Sequence, residues 1–180
     1  MLIEVMRLQP ADVALIAAID RSEHVDIQYG VSDGRLTERP VTMTEIPNWA
    51  RSGSGQHSVN AQIEFCASVI ADGGVLLGAF DEARPVGLAI VDPSFESGLT
   101  WLAFLHVNRP HRRRGVASAL WDAALDLALE AGAEAIYVSA VPTGSAVGFY
   151  LRQGCHLADP PHSELFSHEP EDIHLVRSLL

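Results

Sequence analysis

Apolar and polar positions along this chain repeat with two different periods, and the changes between them mark out its elements. Leu2 to Leu8 reads as a first strand, with Leu2, Val5 and Leu8 apolar. Pro10-Ala11-Asp12 opens a helix, because Pro suits a first helical turn and Asp favours the N-terminal end. Val13, Ile16, Ala17 and Ile19 form its apolar stripe. Val25–Val31 and Arg35–Thr44 are predicted as two strands around Ser32-Asp33-Gly34, where Asp-Gly signals a hairpin. Ser52-Gly53-Ser54-Gly55 is a loop. Ser58 caps a helix carrying Val59, Ile63, Cys66 and Ile70 on one face, and Gly73-Gly74 stops it.

Three apolar runs follow, Val75–Phe80, Pro85–Val91 and Leu99–Val107. The turns between them are short, which favours antiparallel neighbours. The next run has a helical period: Val116, Leu120, Ala124, Leu127 and Ala131 face inward, and Asp122, Asp126 and Glu130 face outward. Ala135–Val141 is strand-like. It follows a strand and a helix, so it is expected to close a right-handed crossover with Leu99–Val107. Thr143 caps a short helix to Arg152, a Pro-rich, acidic stretch holding three of the histidines His156, His162, His168 and His174 reads as loop, and Ile173–Leu179 as a last strand.

Composition adds bounds. The 180 residues suit one domain, 1–180, with 48% hydrophobic and 19% charged residues, ordinary for a globular α/β protein. No apolar stretch approaches the roughly 20 residues of a membrane span, so no membrane partner is expected. Met-Leu-Ile-Glu-Val lacks a signal peptide's basic start. Cys66 and Cys155 form neither a disulfide framework nor a metal spacing, and the expected compartment is the cytoplasm.

Charge singles out one segment. The chain has 12 basic and 23 acidic residues, net −11, and every basic residue is Arg. Four of the 12 lie between Arg109 and Arg114, where an apolar run ends and a helix begins. The free N–H groups and dipole of a helix start favour an anion. A dense basic turn in an acidic chain points to a local phosphate site and not to the broad basic face that nucleic acid requires.

Arg112, Gly115 and Ala117 occur in the spacing Arg-x-x-Gly-x-Ala after a strand and at a helix start. This resembles the acyl-CoA-binding motif of the GNAT superfamily of N-acetyltransferases. Ala146, Phe149-Tyr150 and Gly154 resemble the same family's downstream helix. The resemblance implies a GNAT-like acyl-CoA N-acyltransferase fold, a mixed, mostly antiparallel sheet with flanking helices. It places the acetyl-CoA-binding core in 99–155 and makes 21–57 a variable acceptor-side region.

It also implies acetyl transfer from acetyl-CoA, as cosubstrate, to a primary amine of a small molecule or peptide by direct attack. The alternative is a non-catalytic acyl-CoA-binding or sensing module on the same fold. The pyrophosphate would meet the N–H groups of Arg113, Arg114, Gly115, Val116, Ala117 and Ser118, with charge from Arg112 and its neighbours. Leu105 and Val107 would bond the pantetheine arm through their backbone. A strand N–H on the thioester oxygen would contribute roughly 3–4 kcal/mol. Tyr150 is the implied general acid, returning a proton to the leaving thiolate. Thr143 stands where the family's usual Asn contacts the cofactor, and is expected at the cofactor in its place. Some members carry a catalytic Glu eleven residues before the motif Arg, where this chain has Trp101. Homodimers are common in the family, so a homodimer is a further expectation.

The general base stays open among His106, Glu38 and Glu64. Asp26, Asp33, Glu38 and Glu45 in 21–57 suggest an acidic edge for a cationic acceptor. Asp159, Glu164, Glu169, Glu171 and Asp172 offer a second acidic segment, which either borders an amine pocket or is a solvated loop, the solvated loop being favoured. His156, His162, His168 and His174 recur every six residues, a spacing that fits no usual metal site, and no metal is expected.

Overall fold

The computed structural model describes residues 3–180, Met43 by its backbone alone; Leu2 of the expected first strand lies outside the described residues. A seven-stranded sheet runs in the order β1-β4-β5-β6-β7-β9-β8. Its strands are β1 (Ile3–Arg7), β4 (Val75–Asp81), β5 (Arg84–Glu96), β6 (Leu99–Val107), β7 (Ala135–Ala140), β8 (His156–Leu157) and β9 (Ile173–Ser178). All pairs are antiparallel except β6–β7. That parallel pair flanks α2 (Val116–Glu130), as the strand–helix–strand order requires. A separate two-stranded sheet is the hairpin β2 (Glu23–Ser32) and β3 (Arg35–Ile46), turning at Asp33-Gly34, both with positive φ.

The sheet has an apolar layer on each face. One contains Trp121, Leu120 and Val116 of α2 against Val86, Leu102, Ile136 and Val138, together with Val147 and Tyr150 of α3 (Gly144–Arg152). The other contains Ile16 and Ile19 from the 3-10 segment Pro10–Ala18 and its exit. These pack with Cys66 of α1 (Val59–Ala71), Trp49, Leu88, Ile90 and Phe104. Ala131 faces solvent, one residue beyond the last helical turn, and Trp121 takes up the buried volume instead.

Two expectations need correction. β5 continues through Pro93 to Glu96, because a register irregularity between Asp92 and Glu96 lets the proline sit in the strand without breaking a regular ladder. The segment 156–172 is not all loop. It holds β8 and a short helix, α4 (Ser163–His168), which buries Leu165 and whose N-terminus is capped by His162 Nδ1 accepting from the Leu165 N–H at 3.4 Å.

Candidate active site

β6 and β7 pair only from Leu99–Leu102 against Ala135–Val138. Beyond that they part. Ala103–Val107 continue β6 beside β5, and Ser139 and Ala140 continue β7 beside β9. Two facing strand edges with unshared N–H and C=O groups therefore border a gap that can take an extended ligand. The gap belongs to a cleft of about 2100 Å³ that runs along β6 from Trp101 to the turn after Val107.

At one end lies the arginine turn. Gly115 caps α2 in the left-handed region, φ 85°, and supplies no side chain; the first helical bond is from the Ala119 N–H to the Gly115 C=O, 3.0 Å. The N–H groups of Val116, Ala117 and Ser118 therefore have no helical acceptor. Arg113 is also left-handed, φ 59°. Successive turns of this kind point backbone N–H groups into one concavity, an anion cradle. A Cβ on Gly115 would meet nothing within 4 Å, so the glycine is required by its φ, and the space above it is open.

The side chain of Arg112 points elsewhere than its motif position suggests. Its Nε donates to the Val107 carbonyl at 3.2 Å, one Nη donates to the Arg21 carbonyl at 2.7 Å, and the other lies 3.6 Å from Glu23 Oε2. It is tied to the protein and leaves the cradle to backbone and to Arg113 and Arg114. Neighbouring contacts repeat the pattern: Arg109 Nη1 donates to Ser22 Oγ at 3.0 Å, and the Arg109 N–H to the Asp20 carbonyl at 2.9 Å. β2 then reaches the far flank of the gap, where the Tyr29 N–H donates to the Pro142 carbonyl at 3.0 Å and Gln28 bridges Thr143. The hairpin thus joins the arginine turn to the start of α3.

The other expected residues are placed as follows. Leu105 lines the gap, and Val107 is buried with one lone pair of its carbonyl taken by Arg112. Thr143 Oγ1 caps α3 by accepting from the Ala146 N–H at 3.3 Å, and lies 3.2 Å from Ser145 Oγ. Tyr150 lines the cleft, packed edge-on against Trp121 at 5.6 Å and Phe149 at 5.1 Å. Burial, assisted by Cys155, pushes its phenol well above the ordinary value.

None of the three base candidates is suited to the task. His106 lines the cleft between Trp49, 4.9 Å away, and Phe104, 4.7 Å away. Burial and the nearby Arg21 and Arg112 guanidiniums push its imidazole down to about 3, far too weak a base for an ammonium group. Glu38 accepts from Tyr29 Oη at 3.0 Å on the exposed hairpin, and Glu64 is exposed on α1; neither lines the cleft. Of the acidic edge expected in 21–57, only Asp26 lines it. Asp33 sits in the hairpin turn and Glu45 lies near Arg109, 3.9 Å away.

Most of the acidic wall comes from the second acidic segment, Asp159 excepted. Glu164, Glu169, Glu171 and Asp172 line the cleft, with Asp72 after α1 and Asp92 of β5. Asp92 lies opposite Trp101, and Leu165 of α4 packs with Trp101 and Phe95, whereas Glu169, Glu171 and Asp172 lead into β9, whose Ile173 lies opposite Ala140 at the free end of β7. Burial raises Glu169, and burial with repulsion from Glu169 and Glu171 raises Asp172 to about 7. Asp72 and Asp92, from the end of α1 and from β5, join that segment only through the fold. Among the described residues no group of side chains is arranged to hold a metal, and no helix is long and apolar enough to cross a membrane.

The fold is shared with known acetyltransferases. A nourseothricin acetyltransferase superposes with a TM-score of 0.72 at 19% identity over 100% of both chains. The PaiA N-acetyltransferase of Thermoplasma acidophilum, solved with coenzyme A, gives 0.62 at 13% over 99% of both. The ribosomal-protein-S18-alanine N-acetyltransferase of Escherichia coli gives 0.61 at 12%, over 99% of this chain and 94% of its own. No curated protein matches the sequence. The family model described as acetyltransferase (GNAT) matches residues 42–155, well over half of the chain and inclusive of the parted strands, the arginine turn and α3. With that match the anion cradle has its owner: the chain belongs to the GNAT acetyltransferase family.

Proposed function

We propose that this protein moves an acetyl group from acetyl-CoA to a primary amine of a cationic small molecule or peptide, by direct attack within one complex of both substrates. The observation that carries this reading is the polarity of a single cleft. It has an uncapped helix start and arginines where β6 leads into α2, two open strand edges, and carboxylates gathered on the β7 side of the gap, where the segment before β9 enters the sheet. An anionic, amide-bearing donor matches the arginine turn and the edges; a cation matches the carboxylates.

In this reading the N–H groups of Arg113 to Ser118 hold the pyrophosphate, with Arg113 and Arg114 adding charge. Leu105 and Val107 offer backbone partners to the pantetheine amides. Thr143 serves by fixing the start of α3, and Arg112 by fixing the turn. Tyr150 gives its proton to the leaving thiolate. Its raised pKa keeps it protonated at every working pH, and the desolvation that raises it also makes a neighbouring thiolate more basic. The amine must lose a proton before it attacks, since an alkylamine near pKa 10 is charged at neutral pH.

The test is thiol release from acetyl-CoA across polyamines, aminoglycosides, amino acids and peptide N-termini. The likeness to a nourseothricin acetyltransferase makes nourseothricin one arm of the panel. Multiply charged amines should be preferred over neutral or acidic ones. Binding of acetyl-CoA with no transfer to any amine would favour the non-catalytic alternative.

A further inference from the structure

We infer that Ser139 and His174 form the relay that takes the proton from the acceptor amine. This rests on the acetyl-transfer reading above and supplies the base that His106, Glu38 and Glu64 do not provide.

Ser139 is the first residue of β7 beyond its last pairing with β6, and it lines the cleft at the point where the strands part. His174 lies directly opposite on β9, so the two side chains share one face of the sheet. Ser139 Oγ is 3.4 Å from His174 Nδ1, and His174 Nε2 is 2.9 Å from the carbonyl oxygen of Glu169. A carbonyl only accepts, so Nε2 carries the hydrogen and Nδ1 turns its lone pair to the serine hydroxyl. Tyr137, 5.8 Å away, and Phe166, 5.3 Å away, hold the ring in place. His174 is only 3% exposed; Ser139, which also hydrogen-bonds the Glu169 carboxyl, lies beside its Nδ1 and lines the cleft. An oriented imidazole behind a cleft-facing hydroxyl is the arrangement that general-base chemistry requires.

The surroundings suit it. Glu169 and His168 face the pair from the end of α4, Glu171 and Asp172 from the segment entering β9, and Tyr137 from β7. As the ammonium gives up a proton, an N–H bond breaks and an O–H bond forms on Ser139, whose own proton passes to Nδ1. The freed lone pair forms the N–C bond and the C–S bond breaks. The second amine proton leaves as the adduct collapses and replaces the one that Tyr150 gives to sulfur. The first returns from His174 through Ser139 to water.

Ser139→Ala, Ser139→Thr and His174→Gln are compared with the wild-type chain on an amine it acetylates, from about pH 6 to about pH 10. The alanine and glutamine variants should lose about a hundredfold in kcat near neutrality. Acetyl-CoA should bind them as before in a direct titration. Their deficit should shrink towards the alkaline end, where the amine loses its proton in solution, and Ser139→Thr should keep most of the activity. Should His174→Gln fail to fold, Ser139→Ala carries the test alone. A deficit equal at every pH, or activity within about twofold of wild type, would overturn the relay. A wild-type chain that acetylates no amine overturns instead the acetyl-transfer reading on which the relay stands.

Discussion

The basic and acidic walls of the cleft are made of different material. The arginine end is backbone: the unshared N–H groups of α2, a glycine at φ 85°, and a left-handed Arg113. Its most prominent side chain, Arg112, is turned away and braced against Val107, Arg21 and Glu23. The acidic end is side chain: carboxylates from α1, β5, α4 and the segment before β9, with aromatic rings between them. A backbone site is fixed by chain geometry and tolerates substitution except where φ is special. A side-chain site keeps its backbone under substitution and changes what it binds. The backbone site therefore suits a ligand that stays the same, and the side-chain site one that can change.

The largest effect should come from the chemistry between the ends. Tyr150→Phe is expected to lower kcat by about a hundredfold while acetyl-CoA affinity stays the same, read by steady-state rates and a binding titration. An unchanged kcat would remove the phenol from the reaction. Next is the backbone end. Gly115→Val forces a β-branched residue to positive φ, a strain of about 1–2 kcal/mol, and sets a branched side chain beside the cradle. The KM for acetyl-CoA should rise tenfold or more, with acceptor preference unchanged. A shift in acceptor preference would break the division between the ends.

Arg112→Ala should act on stability before binding. It removes two charged hydrogen bonds and strands the half-buried Glu23 carboxylate, at about 1.5–3 kcal/mol for each such bond. The melting temperature should fall by several degrees, and Arg112→Lys should not restore it because lysine lacks the fork that reaches three partners. Arg113→Ala with Arg114→Ala should instead leave the melting temperature alone and weaken acetyl-CoA binding a few-fold, less so at high salt.

The smallest effect is a proton count. Asp172, raised to about 7, is protonated in the folded chain over a range where it is ionised in the unfolded one. The folded state then holds the extra proton, so this group's contribution to stability falls as pH rises from about 4 to about 7. Asp172→Asn should remove that slope from melting curves measured across the same window. A cation bound at the acidic end should also release a proton near neutral pH, seen as a calorimetric heat that varies with the buffer.

The elements legible in the sequence were those whose apolar period runs undisturbed. Leu99–Val107 and the start of α2 at Val116 stand where the pattern places them, as does α3 from its Thr143 cap to Arg152. α4 was hidden because a six-residue helix between prolines offers too few turns for a period to show. The cradle was legible because glycine and helix start are local features. The brace on Arg112 was not, since its partners come from residues 21, 23 and 107, brought together only by the tertiary fold. The Ser139–His174 pair was equally silent: it depends on the register between β7 and β9, which neither strand's own pattern states.

The hairpin is fastened on both flanks of the parted strands, to the arginine turn through Arg112 and Arg109 and to the start of α3 through Tyr29. On the proposed reading, the donor along the arginine turn and the acceptor across the gap each meet a wall that this hairpin holds in place, so loosening the hairpin should weaken both.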